Sequence, residues 1–373
     1  MIIDTHTYCF PPLDGANGGE ERMKRAQVAH ALHHQPALRL RDREPAPSGP
    51  LAPEGTLDVS DLPDVDFHVE HEAGRVVWTV DGEDYTKYYY PPSLRDLQYT
   101  PQALIGDMDY AGVDVALLHT DPMLERHGAF QAECVSAYPD RILSMAPVDE
   151  WRIPSEPDAV IEELTENIRQ RRLHAIKFMA SYAYTNGPEP WDDGVYRPFW
   201  EAATALGVPV FFSLGSGPTG SWTDAASERQ NYLNELRILA RWSERYPDTL
   251  CSVTHGFPWR LFLDGDSIVL PEGVWTPFRS PNCSIEVSFP VRIGDLFDFP
   301  YRQVWLALEQ MVERIGARQL LWGTDMPFQN RFCTYRQSRD WIEKYCDFLS
   351  EEDLRLIMGE TAARVLGIRS ARS

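Results

Sequence analysis

The residues of this 373-residue chain best suited to chemistry lie near its two ends and at one point between them. At the amino terminus Ile2-Ile3 runs into Asp4-Thr5-His6. Read as a strand, its period of two places the carboxylate and the imidazole on one face. Oxygen and nitrogen donors two residues apart can converge on one divalent ion; a surface aspartate beside a capping histidine is the other reading of the same residues. Toward the carboxyl terminus Leu320-Leu321-Trp322-Gly323 ends in Thr324-Asp325-Met326-Pro327, the pattern of a buried parallel strand with Asp325 at its tip. A carboxylate there is costly without a cation or several donors, so Asp325 reads as a metal ligand or proton carrier, or else as a cap on the next turn. His255 follows Ser252-Val253-Thr254 and precedes Gly256. A histidine at such an opening can donate to a developing oxyanion or act as an acid.

Strand tips act together only if a closed scaffold makes them converge. From residue 101 onward the chain alternates regularly. Helical patterns at Pro101–Tyr110, Leu124–Tyr138, a helix after Ser155 with Asp158 as a capping box, Phe199–Leu206, a long segment through Leu233 and Leu236, and Val304–Ile315 separate apolar runs. Those runs are Val113–Leu118 ending in His119, Ile142–Val148, Ala175–Met179 with Lys177, Val208–Leu214, Leu250–Thr254 and Cys283–Val287 with Glu286. With the first and last strands this makes eight, and the expected fold is α/β: a (β/α)8 TIM barrel whose site lies at the carboxyl ends of its strands. A single barrel domain over residues 1–373 is expected, interrupted by an insertion at 11–100. There, Arg22–His34 reads as helix and Pro36–Pro63 as coil. Phe67–His71 and Val76–Val80 read as a hairpin with a further turn at Asp81-Gly82, followed by Tyr85, Tyr88, Tyr89 and Tyr90. Placed after the first strand, this segment would be a lid on the catalytic face, or a packing hairpin or dimer arm.

Composition narrows the partners. Lysine and arginine total 35 against 56 acidic residues, a net charge of -21 that repels phosphate backbones and anionic membranes. No apolar run approaches the roughly 18 residues of a membrane span. Six cysteines without a CxxC pair, and a start that shows no signal peptide, fit a reducing cytoplasm. A small-molecule substrate is expected, with assembly as a homodimer.

The chain resembles the amidohydrolase-related TIM barrels that include aminocarboxymuconate semialdehyde decarboxylase, γ-resorcylate decarboxylase and pyrone-dicarboxylate lactonase. The resemblance rests on Ile3-Asp4-Thr5-His6, Thr254-His255-Gly256, Trp322-Gly323-Thr324-Asp325-Met326-Pro327 and Ile357-Met358-Gly359-Glu360-Thr361-Ala362-Ala363-Arg364-Val365-Leu366. It implies Asp4 and His6 as the ligand pair of the first strand, Asp325 as the ligand of the eighth strand and a base, and His255 as the catalytic histidine. A further family ligand, a histidine in the fifth strand, falls on Ser213, so one divalent ion, zinc or manganese, would be held by Asp4, His6, Asp325 and water, or with His255, or the site would work without metal. His119, Lys177, Arg260 and Arg331 are expected substrate contacts, the arginines because their planar fork matches a carboxylate. Three functions follow: a hydrolase acting on an amide, lactone or vinylogous carbonyl in a carboxylated or aromatic substrate; a metal-dependent non-oxidative decarboxylase; and a non-catalytic binding barrel.

Overall fold

The computed structural model describes residues 1–12, 37–46, 66, 68–70, 73, 75–87, 90–91, 93–94, 98–121, 124, 127–218 and 221–368. Eight parallel strands follow one another around a single sheet: β1 Ile3–Thr7, β2 Val115–Leu118, β3 Ile142–Ala146, β4 Ala175–Met179, β5 Val210–Ser213, β6 Cys251–Val253, β7 Cys283–Val287 and β8 Leu320–Trp322. The ring closes just beyond the last strand. Thr7 bridges Met326 in parallel, the Asp325 amide donates to the His6 carbonyl at 2.7 Å, and the Tyr8 amide donates to the Met326 carbonyl at 2.8 Å. This is the expected (β/α)8 TIM barrel, and the eight strands fall where the apolar runs placed them.

Helices α1 Pro101–Ala111, α2 Gly128–Ala137, α3 Pro157–Arg169, α4 Arg197–Thr204, α5 Ala225–Arg245, α6 Arg302–Ile315 and α7 Tyr335–Glu343 wrap the sheet. Alternation along the strands sorts two cores. Outward Phe178 and Phe212 pack on Trp200 of α4, at 4.6 and 5.6 Å between ring centroids, and Phe212 also meets Trp242 of α5 at 4.9 Å. Inward Ile3, Val115, Leu117, Met145, Ala175, Phe211 and Leu321 fill the lower barrel, joined from below by Ala362 and Val365. That apolar plug fills most of the lower barrel, and the titratable side chains gather in the upper tier. The expected capping box at Ser155 is not formed. The α3 helix starts at Pro157, whose fixed φ suits the first helical position, with Glu156 as a cap that makes no side-chain bond.

The insertion contributes a five-stranded antiparallel sheet in the order Pro45–Ala46, Ala37–Arg39, Glu83–Lys87, Arg75–Val80, His68–Glu70. Its expected hairpin is present, and Asp81 and Gly82, with φ of 52° and 77°, make the two-residue turn pairing Val80 with Glu83. Trp78 is buried, and the Tyr90 ring lies 5.8 Å from Phe328 on the barrel face. The helix expected at 22–34, along with Tyr88 and Tyr89, lies outside the described residues.

The carboxyl-terminal segment locks the base of β1. A Cβ on Gly359 would stand 2.1 Å from the Met1 carbonyl oxygen, backbone against backbone. Gly359→Ala is therefore expected to destabilise the fold by about 1–3 kcal/mol, as overpacking that no side chain can relieve. An unchanged urea midpoint would show that the two termini are not in register.

Candidate active site

Among the described residues, the polar upper tier is organised by Glu286, which the middle of β7 aims inward and buries completely. Its Oε2 accepts from the His255 backbone amide and from His6 Nδ1, both at 2.7 Å, while Oε1 has a longer 3.3 Å bond from Thr5 Oγ1. The first two contacts determine much of the chemistry. Because Oε2 already accepts from the His255 amide, it acts as the acceptor oxygen whether or not Oε1 is protonated, which keeps the proton on His6 Nδ1 and leaves Nε2 as a lone pair. Tyr8 Oη lies 3.0 Å from that nitrogen and Asp325 Oδ1 3.3 Å from it. Two electron-rich atoms so close require a proton or a cation between them.

The backbone is bent to make this cluster. His255 and Asp325 both occupy the left-handed region, with φ of 62° and 67°, a conformation that a non-glycine residue holds only when its surroundings impose it. At the next residue, Gly256, a Cβ would meet the Trp259 ring at 2.4 Å and the Glu286 carbonyl at 2.9 Å, so only glycine lets the β6 loop fold back over β7. The imidazoles of His6 and His119 stack at 3.5 Å, and that of His255 lies 4.1 Å from His6. Burial holds all three well below the ordinary histidine range, so they are neutral. The same burial pushes Asp325 up to about 7 and Glu286 up to about 8, against the opposing pull of Arg292 and other donors.

Strand β1 departs from simple alternation. Its register against β2 pairs Asp4 with Ala116 and Thr7 with Leu118, three steps against two, which is a β-bulge. The expected common face of Asp4 and His6 is thereby broken. Asp4 Oδ1 accepts from the amides of His6 at 3.0 Å and Thr324 at 3.1 Å, and Oδ2 accepts from Tyr335 Oη at 2.7 Å and from Thr324 Oγ1. With four donors on two oxygens, Asp4 ties β1 to the loop after β8 and to α7. His6 alone turns inward.

The other expected residues divide by position. A cavity of about 490 Å³ is lined by Tyr8, Met179, Ser213, Thr254, His255, Arg260, Arg292, Asp325, Phe328 and Arg331, among others. His119 and Lys177, expected to touch substrate, are buried behind that wall. His119 Nε2 donates to the Thr5 carbonyl at 2.8 Å, and its Nδ1 accepts from Lys177 Nζ at 2.9 Å. Arg260 reaches the rim but is tied to Asp295 and to the Arg292 carbonyl. Arg331 lies over the Phe332 ring. Glu286 and Arg292 are not among the site residues expected from the sequence. The signal for Glu286 was a carboxylate inside the apolar run Ser284-Ile285-Glu286-Val287, a placement that needs partners; nothing local marked Arg292.

One donor atom from each of His6, His255 and Glu286 lies within 4.8 Å of the others. His255 Nδ1 is buried without a hydrogen-bond partner, and the raised carboxyls lack positive charge, so the donor set fits a divalent ion. Asp325 Oδ1, 4.0 Å from His255 Nδ1, stands beside it.

The fold and this cluster define a TIM barrel of the metal-capable type. The amidohydrolase family model matches residues 3–368, and the chain belongs to that family. No curated protein sequence matches it. Among solved structures, a dihydroxybenzoic acid decarboxylase from Polaromonas, with bound manganese and the inhibitor 2-nitroresorcinol, is 20% identical with TM-score 0.54, over 75% of this chain and 90% of that one. An uncharacterised TIM-barrel protein from Bordetella bronchiseptica is 17% identical over 98% of both chains, with TM-score 0.56. A probable 2-pyrone-4,6-dicarboxylic acid hydrolase from Acinetobacter baumannii, with citric acid bound, is 16% identical over 72% of this chain and 90% of that one, with TM-score 0.53.

Metal uptake must displace the proton that the raised pKa of Glu286 favours, whereas the histidines are already neutral. Affinity for manganese or zinc is therefore expected to rise about tenfold per pH unit between about pH 6 and 8 and then level off; calorimetry in buffers of different ionisation enthalpy would read the released proton. His6→Ala should abolish binding. Asp4→Asn should retain it while lowering stability by about 1–3 kcal/mol, since buried donors lose their acceptor. Metal loss in Asp4→Asn with normal stability would return Asp4 to the ligand set.

Proposed function

We propose that the protein is a non-oxidative decarboxylase of a small, planar carboxylate of the hydroxyaryl type. The observation that carries this reading is Asp325, a carboxyl held up to about 7 beside the metal-capable group and on the wall of the cavity. Decarboxylation needs an acid that can protonate the carbon losing carbon dioxide, and a carboxyl with this pKa is available near neutrality.

Arg292 lines the cavity, and none of its guanidinium nitrogens has an ion pair or hydrogen bond among the described residues, so it suits the substrate's anionic group. Tyr8 and Phe328, edge to face at 5.6 Å, offer aromatic surface for a flat ring. A divalent ion held by His6, His255 and Glu286 would supply positive charge for the carboxylate and an adjacent hydroxyl. Asp325 passes its proton to the ring carbon as the bond to the carboxyl group breaks and carbon dioxide leaves, and it regains a proton from solvent. The neighbouring decarboxylase fold with manganese supports the same assignment. A second reading, hydrolysis of a lactone or amide, is supported by the pyrone-dicarboxylic acid hydrolase neighbour. Homodimeric assembly and a lid role for the five-stranded sheet belong to the proposal. Among the described residues, no helix is long and apolar enough to cross a membrane.

Carbon dioxide release from a panel of hydroxybenzoates, with and without manganese, tests the reading. Activity is expected to fall as pH rises past the point at which Asp325 loses its proton, a point that a bound divalent ion draws below the value of about 7 set by burial alone. Asp325→Asn should lower kcat by at least about a hundredfold, the ordinary magnitude of acid–base assistance, with little change in Tm; His255→Asn should lower it through the loss of a metal donor, together with metal content. If no hydroxybenzoate loses carbon dioxide while a pyrone or lactone ring is opened, the hydrolase reading replaces this one.

A further inference from the structure

The polar chain behind the cavity wall is not used by the decarboxylation reading. Lys177, inside β4, has its Nζ 2.7 Å from Ser213 Oγ on β5 and 2.9 Å from His119 Nδ1. Ser213 is half-buried and lines the cavity, whereas Lys177 is only 2% exposed. Ser213 Oγ also lies 2.7 Å from Thr254 Oγ1. A hydroxyl open to the cavity is thus backed by a buried amine, and the amine is oriented by a third group whose tautomer is fixed through His119 Nε2–H and the Thr5 carbonyl. This arrangement defines an activated nucleophile: nucleophile, base and orienting group in hydrogen-bond sequence.

We propose that Ser213 and Lys177 form a nucleophile–base pair that gives this cavity a second activity, acyl transfer from small carboxylic esters or lactones through an acyl-serine. The neutral amine keeps one N–H on His119 and accepts the Ser213 proton, while Thr254 donates to Oγ. As the Oγ–carbon bond forms, that proton moves to Nζ. As the carbon–oxygen bond to the leaving alkoxide breaks, Nζ passes the proton to the alkoxide. Water then adds to the acyl carbon and gives a proton to Nζ, which returns it to Oγ as the acyl bond breaks. The sum is ester plus water to acid plus alcohol.

Burial lowers Lys177 to about 8, which makes the neutral amine accessible. The groups facing it are His119 and Asp121 after β2, Glu150 after β3, Glu286 on β7 and Asp325 after β8, with His6 stacked on His119. The carboxylates oppose the shift, yet none comes within ion-pair distance of Nζ among the described residues, and desolvation prevails.

The test is reaction of the full-length protein with a fluorophosphonate, in which the Oγ–phosphorus bond forms and fluoride leaves, followed by intact-mass measurement and peptide mapping. One phosphonyl group on Ser213 is expected, at a rate that rises with pH through about 8, with a matching acyl burst from p-nitrophenyl acetate. Ser213→Ala should abolish labelling, and Lys177→Met should slow it at least about a hundredfold, the scale of lost general-base help. No adduct on Ser213, or an equal rate in folded Lys177→Met, overturns the proposal. Should Lys177→Met not fold, Ser213→Cys decides. Alkylation by iodoacetamide with a thiol pKa clearly below the ordinary value of about 8.5 supports the pair, and an ordinary value overturns it. Labelling reports on Ser213 and carbon dioxide release on Asp325, so either activity can fail without the other.

Discussion

A single buried carboxyl group holds the upper barrel together. Glu286 draws the His6 ring and the Thr5 hydroxyl of β1 and the His255 amide just beyond β6 toward one point. Removing such a group from water is expensive, and the compensation comes from donors within hydrogen-bond reach and from the positive charges of Lys177 and Arg292. That requirement fixes the tautomer of His6, the turn at His255 and the tight backbone at Gly256. The site is therefore pre-organised before any substrate enters.

Around that point the titratable groups are pushed in opposite directions by one cause. Burial disfavours charge, so carboxyls rise toward neutrality and histidines fall below it. The cluster is consequently near its switching range at physiological pH, with protonatable acids and unprotonated nitrogens side by side. A cation entering it would meet lone pairs on the histidines and would have only a carboxyl proton to displace.

The barrel supplies two separate supports for this arrangement. The lower plug of Ile3, Leu117, Phe211 and Leu321 excludes water from below, and the aromatic packing of Phe178, Phe212, Trp200 and Trp242 stiffens β4 and β5 from outside. Lys177 and Ser213 alternate with those same phenylalanines, so the strands that anchor the outer core also set the distance between amine and hydroxyl. Packing precision on one face becomes chemical precision on the other.

The eight strands, the hairpin with its Asp81-Gly82 turn and the strand-tip residues His6, His255 and Asp325 were all legible in the sequence, because apolar period, turn chemistry and strand ends are local signals. Asp4 was not: a one-residue bulge in β1, set by pairing with β2, turned its carboxylate to Thr324 and Tyr335, and no local pattern announces a bulge. Lys177 and His119 read from the sequence as substrate contacts, but tertiary packing puts them behind the cavity wall with Ser213 in front. Glu286 and Arg292 depend most on the fold, since a carboxylate in an apolar run and an arginine in a loop acquire roles only from what the closed ring brings opposite them. The sequence by itself determined which elements form and in what order; the closure of the barrel decided which side chains share a proton, because those distances span up to the whole chain.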